Sequence, residues 1–357
     1  MTLEKILNQI EPIDKDSLHE AKKHSEKLIM PNRAMGFLHN IGEQICGIRG
    51  TLTPKVNKKA IFIMVADHGV AEENISAYPQ EVTNQMVEAF LDGVATINVI
   101  ANVSKAKLIV ADIGMITNLS RTIMDSKNCI FINKKIKRGT SNFLKKKAMT
   151  YNEAITSIET GFNIANKYIN KYNLNLIATG DMGIGNTTAA AAIASVICGI
   201  NPVEATGKGS LISSEALLKK IDIVKKAIEV HKPDNKNAID VLSKVGGLEI
   251  GAIAGAILAA AYKKIPVVLD GAISTAGALL AFLLNRKTRD YMIAGHLSAE
   301  PSHKYMLDYL SLNPLLRLDM RLGEGTGAAV AIPIIQYAVK IIKKVATFEK
   351  ANVSKGK

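Results

Sequence analysis

The chain has 357 residues, 48% of them apolar and 22% charged, with no tryptophan and a formal net charge of +13. That length buries a large core and suits two domains, or one large domain with an appendage, and the composition is that of a globular protein rather than a disordered or fibrous one. The positive charge would suit an anionic partner, but the lysines are scattered over polar segments (Lys134-Lys135, Lys145 to Lys147, Lys219-Lys220, Lys343-Lys344) with no basic stripe interleaved with aromatics, which favours a solvated basic surface over a nucleic-acid binder, one that could still attract phosphorylated metabolites.

In chain order, residues 1–30 read as amphipathic helix, with capping-box spacing at Ser17-Leu18-His19-Glu20 and an end near Pro31. Residues 60–66 form a continuous apolar run closed by Asp67-His68-Gly69, the pattern of a buried parallel strand. Similar runs cover 108–111 before Asp112-Ile113-Gly114, 174–178 before Thr179-Gly180-Asp181, 266–269 before Asp270-Gly271, and 291–294 before Gly295-His296. Helical patterns separate them at 84–101, 186–199 and 272–284, and another covers 328–345 before a polar tail at 350–357 that should fray. Strands alternating with helices predict an α/β fold with a mainly parallel sheet. Ligands of such sheets sit beyond the carboxyl ends of the strands, so the Gly, Asp and His residues there should share one site.

The three cysteines, Cys46, Cys129 and Cys198, are far apart and lack metal-ligand spacing, which suits a reducing compartment. His296 and His303 are seven residues apart and have no Cys or carboxylate cluster to complete a metal site. The N-terminus has no signal-peptide core, and the apolar run at 252–261 is too short to span a bilayer. A cytoplasmic protein without a metal or a membrane partner is expected.

Three segments carry chemistry. Gly180-Asp181-Met182-Gly183-Ile184-Gly185-Asn186-Thr187-Thr188 follows a strand and opens a helix, a turn whose free N–H groups suit an anion. It is a near miss to a P-loop, with Asn186 in the place of the phosphate-binding lysine, and to a dinucleotide fingerprint, with Thr188 in the place of the third glycine; a monophosphate fits better. A plain strand–helix turn capped by Asn186 or Thr187 is the other reading. The turn Thr206-Gly207-Lys208-Gly209-Ser210 adds a cation, Lys208, and more backbone donors. Beyond the first strand, Ser76, Tyr78, Pro79, Gln80 and Met86 offer apolar surface and edge hydrogen bonds for a flat ring, or form a solvent loop with a helix cap. Finally, Gly323-Glu324-Gly325 sets one carboxylate between glycines ahead of an apolar helix, where it reads as a general base or as a solvated turn residue.

Together these segments resemble the nicotinate-nucleotide–dimethylbenzimidazole phosphoribosyltransferases of cobalamin biosynthesis. The motifs are ADHGV at 66–70, SAYPQEVTNQM at 76–86, GDMGIGNTTAAAA at 180–192, LDGAISTAGALLA at 269–281, AGHLSAEPSH at 294–303 and LLRLDMRLGEGTGAA at 315–329, in family order. The resemblance implies a Rossmann-like sheet flanked by helices, with a small helical domain built from both termini (1–30 and 330–357) around a catalytic domain at 31–329. It implies a homodimer that uses no cofactor and transfers the 5-phosphoribosyl group of nicotinate mononucleotide to 5,6-dimethylbenzimidazole or a related base, giving α-ribazole 5′-phosphate and nicotinate. By motif, Glu324 resembles the base that takes the imidazole proton; Ser76, Tyr78, Pro79, Gln80 and Met86 the benzimidazole pocket; Asp181, Gly183, Gly185, Asn186, Thr187, Lys208, Gly323 and Gly325 the nucleotide-phosphate site. Two departures stand out: Asp181 replaces the family's usual Glu, and Arg33-Ala34-Met35-Gly36 replaces Gly-Ser-Leu-Gly. A non-catalytic nucleotide-binding regulator on the same scaffold is the second reading; it would not need the Gly-Glu-Gly carboxylate.

Overall fold

The computed structural model describes residues 1–119, 129–209 and 212–354. Its centre is a six-stranded sheet of β1 (Lys59–Ala66), β2 (Ala106–Gly114), β3 (Cys129–Asn133), β4 (Leu176–Met182), β5 (Val267–Leu269) and β6 (Met292–Ala294), in the order β3-β2-β1-β4-β5-β6 with every pairing parallel. A two-stranded parallel sheet of β7 (His296–Leu297) and β8 (Leu316–Arg317) lies beyond β6. The strand order reverses between β1 and β4, the place where a crevice opens beyond the strand ends.

The parallel sheet is covered on both faces, so its strands read as unbroken apolar runs. Alternation along β1 sends Phe62, Met64 and Ala66 to one core, and Ile61, Ile63 and Val65 to the other. The first core is completed by α1 (Leu3–Asn8), α6 (Tyr151–Tyr172), α7 (Asn186–Cys198), α9 (Ser214–His231), α10 (Ala238–Val245), α11 (Leu248–Tyr262) and α12 (Ala272–Leu284). The second is completed by α3 (Phe37–Arg49), α4 (Val82–Asp92), α5 (Thr96–Ser104) and α14 (Thr326–Lys344). The remaining helices are α2 (Lys15–Ser25), α8 (Pro202–Ala205) and α13 (Pro301–Tyr309). Chain ends meet where α14 packs on α3 and α2, and Leu28 bridges to Thr347.

Several local expectations change. The helical pattern at 84–101 is two helices, because Gly93 takes φ 78° and ends α4. Residues 1–30 hold two short helices; Ser17 lies inside α2, whose cap is Asp14, accepting the Ser17 N–H at 2.6 Å. β4 runs on through Gly180 and Asp181, so those residues are the strand's last pairs rather than a loop after it. β3 was not foreseen in the sequence. It is only five residues long, and its chain-order neighbour is the polar Lys134-Lys135 stretch.

The run at 252–261 is buried inside α11. Two other helical stretches, Val82–Ser104 and Thr326–Lys344, are long and apolar enough to cross a membrane by length and composition. The first is interrupted at Gly93, and both contribute buried side chains to the second core.

Candidate active site

The carboxyl ends of β1, β4 and β5 carry Asp67-His68, Asp181 and Asp270, and the loop before α14 folds over them. Gly323, Glu324 and Gly325 have consecutive positive φ angles of 81°, 62° and 85°. For Glu324 this left-handed conformation is strained, on the order of 1 kcal/mol. Three contacts hold it. The Glu324 N–H donates to the Asp181 carbonyl at 3.2 Å. Asp270 accepts the Gly325 N–H at 3.1 Å through Oδ2 and the Ala328 N–H at 3.0 Å through Oδ1. Asp270 thus caps the N-terminus of α14, a role for which strand-end Asp residues give no sequence sign.

Glu324 is buried, and its Oε2 has no hydrogen-bond partner in the described structure. Burial raises its pKa from 4.5 to about 7; the Ile97 N–H at the start of α5 opposes the shift, and the Asp270 carboxylate adds to it. A carboxyl group with that pKa takes and releases protons near neutrality. Asp181 is also held well above the usual carboxylate range, first by burial and then by the charges of Asp270, Glu249 and Glu324, while the Asn186 amide counters it. Burial likewise raises Asp270, against His296 and the backbone N–H groups that favour its charged form. Such a concentration of buried acid suits a group that carries or develops positive charge.

The turn ahead of α7, the candidate phosphate loop of the sequence, sits beside this acid cluster. Gly185, with φ 97°, rather than Asn186 or Thr187, is the residue before α7, and no side chain caps the helix. The Asn186 amide instead donates to Asp181 Oδ2 at 2.9 Å. Thr187 accepts from Lys220 Nζ at 2.7 Å, and Lys220 also donates to the Gly207 carbonyl at 3.1 Å. Gly183 and Gly185 are buried and pack against Ala66 and His68. Lys208 is exposed, and Ser210 lies outside the described residues. The sequence reading overlooked Lys220. It lies on the same α9 face as buried Ile223, Val224 and Ala227, an i, i+3, i+4, i+7 pattern that separates it from its exposed neighbour Lys219.

On the β1 side, Gln80 donates to the His68 carbonyl at 3.2 Å, and the Tyr78 N–H to Ser76 Oγ at 3.2 Å. Pro79 is exposed, Tyr78 exposes 56% of its surface, and Met86 is half-buried on the second core with Met182 and Leu315. Beneath them the fully buried His68 and Glu249 meet at 2.7 Å, tying the end of β1 to the start of α11. His303 accepts the Ser298 N–H on Nδ1 at 2.9 Å, which leaves Nε2 protonated to face the Thr275 hydroxyl at 2.9 Å; burial pushes its pKa down to about 3. His303 is therefore a neutral structural residue. Among the described residues no group of three or more His, Cys, Asp or Glu side chains has metal-binding geometry.

A family model described as phosphoribosyltransferase matches residues 10–353. The chain belongs to that family. The chain is 45% identical to the nicotinate-nucleotide–dimethylbenzimidazole phosphoribosyltransferase of Desulfotalea psychrophila over 353 residues, 99% of this chain and 98% of the relative. It is 45% identical to the enzyme of the same name from Desulforamulus reducens, covering 99% of both. A crystal structure of the Thermus thermophilus nicotinate-nucleotide–dimethylbenzimidazole phosphoribosyltransferase superposes with a TM-score of 0.90 at 39% identity, over 96% of this chain and all of that one. The likeness is full-length, and it includes the sheet whose carboxyl edge carries the acid cluster.

Proposed function

We propose that this phosphoribosyltransferase moves the 5-phosphoribosyl group of nicotinate mononucleotide to 5,6-dimethylbenzimidazole or a related flat base, with Glu324 as general base. The observation that carries this is Glu324 itself, strained, buried, unpartnered at Oε2 and titrating near neutrality. The C1′–N bond of the nucleotide breaks and its electron pair goes to the nicotinate nitrogen. One ring nitrogen of the base bonds to C1′ from the opposite face, inverting the anomeric centre from β to α. The proton on the base's other nitrogen goes to Glu324.

The nicotinate nucleotide carries a cationic pyridinium, and that charge passes to the ribose as the bond breaks. That cation favours the ionised forms of Asp181 and Asp270 against the effect of burial, and they then supply the opposing field. Asp181 is one methylene shorter than the family Glu, and its bond to Asn186 links that field to the phosphate turn. The 5′-phosphate is assigned to the start of α7, with Gly183, Gly185, Asn186 and Thr187, and to Lys220 as the buried cation; Lys208 is a peripheral one. The base is assigned to the slot between Ser76, Tyr78, Pro79, Gln80 and Met86.

What weighs against a non-catalytic regulator is the full-length similarity to relatives that bear the enzyme's name. The same reading includes a cytoplasmic location and a homodimer with a small domain of helices from both termini. Val99 and Val103 on α5, which packs on α14, and Val94 just ahead of it expose more than half their surface and offer apolar surface for a second copy.

The test is direct. Purified protein given nicotinate mononucleotide and dimethylbenzimidazole should release nicotinate, and competition among benzimidazoles and adenine should rank the bases. No release with any base in that panel overturns the reading.

A further inference from the structure

Glu300 is 8% exposed and precedes α13, yet its side chain turns away from that helix. Its Oε1 accepts the Gly209 N–H at 2.9 Å. A Cβ on Gly207 would collide with Oε2, so the carboxylate lies flat against the Gly207 to Gly209 turn. The same turn holds Lys220, bonded to the Gly207 carbonyl and Thr187. A Cβ on Gly209 would lie 3.1 Å from Thr187 Oγ1 and 3.4 Å from Lys220 Nζ. One carboxylate therefore holds the backbone of the turn to which Lys220 is also bonded, and its charge acts on that ammonium.

Other charges near Lys220 are committed elsewhere or exposed. Asp222 on α9 pairs with Lys226 at 2.6 Å, and Asp240 on α10 pairs with Lys244 at 2.8 Å. Glu204 on α8 and Lys208 on the turn are exposed. Burial lowers the Lys220 pKa to about 8, and Glu300 is the charge that resists the fall.

We propose that Glu300 is a positioning residue of the phosphate subsite, holding the Gly207–Gly209 turn and keeping the buried Lys220 ammonium charged and aimed at Thr187, where the nucleotide's monophosphate is bound. This rests on the assignment of Lys220 to the phosphate. Glu300 touches neither substrate; it acts on nucleotide binding through Lys220. The carboxylate also explains why so deeply buried a lysine is tolerated there: an unpaired buried ammonium would lose its proton.

The experiment is kcat and KM for nicotinate mononucleotide from pH 6 to 9.5, on the full-length protein, for the unsubstituted enzyme and five variants: Glu300→Gln, Glu300→Asp, Lys220→Ala, Lys220→Arg and Lys220→Arg with Glu300→Gln. Glu300→Gln keeps an oxygen for the Gly209 N–H and removes the charge. It should move the alkaline limb of kcat/KM for the nucleotide about one pH unit toward neutral, as loss of one opposing charge does, through KM rather than kcat. Glu300→Asp, still charged, should leave that limb in place. In a Lys220→Arg background, whose guanidinium stays charged over this range, Glu300→Gln should move no limb. A limb that stays put in Glu300→Gln, or moves equally in Glu300→Asp or in the Lys220→Arg background, overturns the proposal. Lys220→Ala separates it from its premise: that variant should raise KM for the nucleotide by roughly tenfold or more, and an unchanged KM would mean that Lys220 does not bind phosphate at all.

Discussion

Gly180 and Gly325 stand backbone against backbone: a Cβ on Gly180 would lie 2.7 Å from the Gly325 amide nitrogen and 2.8 Å from the Glu324 carbonyl oxygen. The last turn of β4 is thus the floor on which the Glu324 loop rests. Gly180→Ala must push that loop off the strand. Overpacking of this kind costs about 1–3 kcal/mol, so urea unfolding should show a loss in that range, and turnover should fall with it. A variant that is as stable and active as the unsubstituted protein would mean that the loop is not seated on β4.

Glu324→Gln should cut kcat by roughly 10²-fold or more while KM for the nucleotide changes little, because a general base acts in the transition state. Steady-state rates with both substrates varied decide this. Turnover equal to that of the unsubstituted enzyme sinks the base assignment.

The same substitution has an opposite effect on stability. The folded pKa of Glu324 lies near 7, above the ordinary 4.5. The folded state therefore binds a proton that the unfolded chain releases, and ionised Glu324 costs stability. That cost is absent below the unfolded pKa, grows between the two values and is fully present above pH 7. Glu324→Gln should stabilise the fold at pH 8 by on the order of 1–3 kcal/mol, read as a higher midpoint of thermal unfolding, and the gain should disappear toward pH 4.5. Melting curves of both proteins at the two pH values check the sign.

A base that must be ionised also gives activity an acid limb. The pH profile of kcat/KM for the accepting base should fall below about pH 7, where Glu324 takes up its proton. Asp270→Asn should lower that limb, because one charge that raises the Glu324 pKa is gone. It also leaves one of the Gly325 and Ala328 N–H groups facing an amide donor, which costs about 1–3 kcal/mol. A stability loss without any movement of the limb would restrict Asp270 to holding the start of α14.

The two lysines of the phosphate region should behave differently. Lys208 is exposed, so Lys208→Ala should change KM for the nucleotide by no more than about threefold, as expected of a screened surface charge. Comparison with Lys220→Ala under identical salt measures the difference. Equal effects would make the exposed turn, rather than the buried amine, the main cation of the subsite.

Much of this arrangement was written in local patterns. Five apolar runs ending in Gly with Asp or His, and helices between them, determined a parallel α/β sheet with its polar residues at one edge, because strands covered on both faces must be apolar throughout and change character only where they emerge. The Gly323-Glu324-Gly325 motif and the turn ahead of α7 were legible for the same reason: backbone that must bend left or lie close to a neighbour selects glycine. Tertiary structure alone decided what those residues meet. It set Asp270 on the backbone of Gly325 and Ala328, 55 and 58 residues away in sequence. It buried Lys220 and exposed Lys208, and it brought Glu300 and Lys220 onto one turn. Hydrogen bonds and desolvation depend on distance in space, and a sequence records only distance along the chain; the identity of the acid was local information, and its pKa was not.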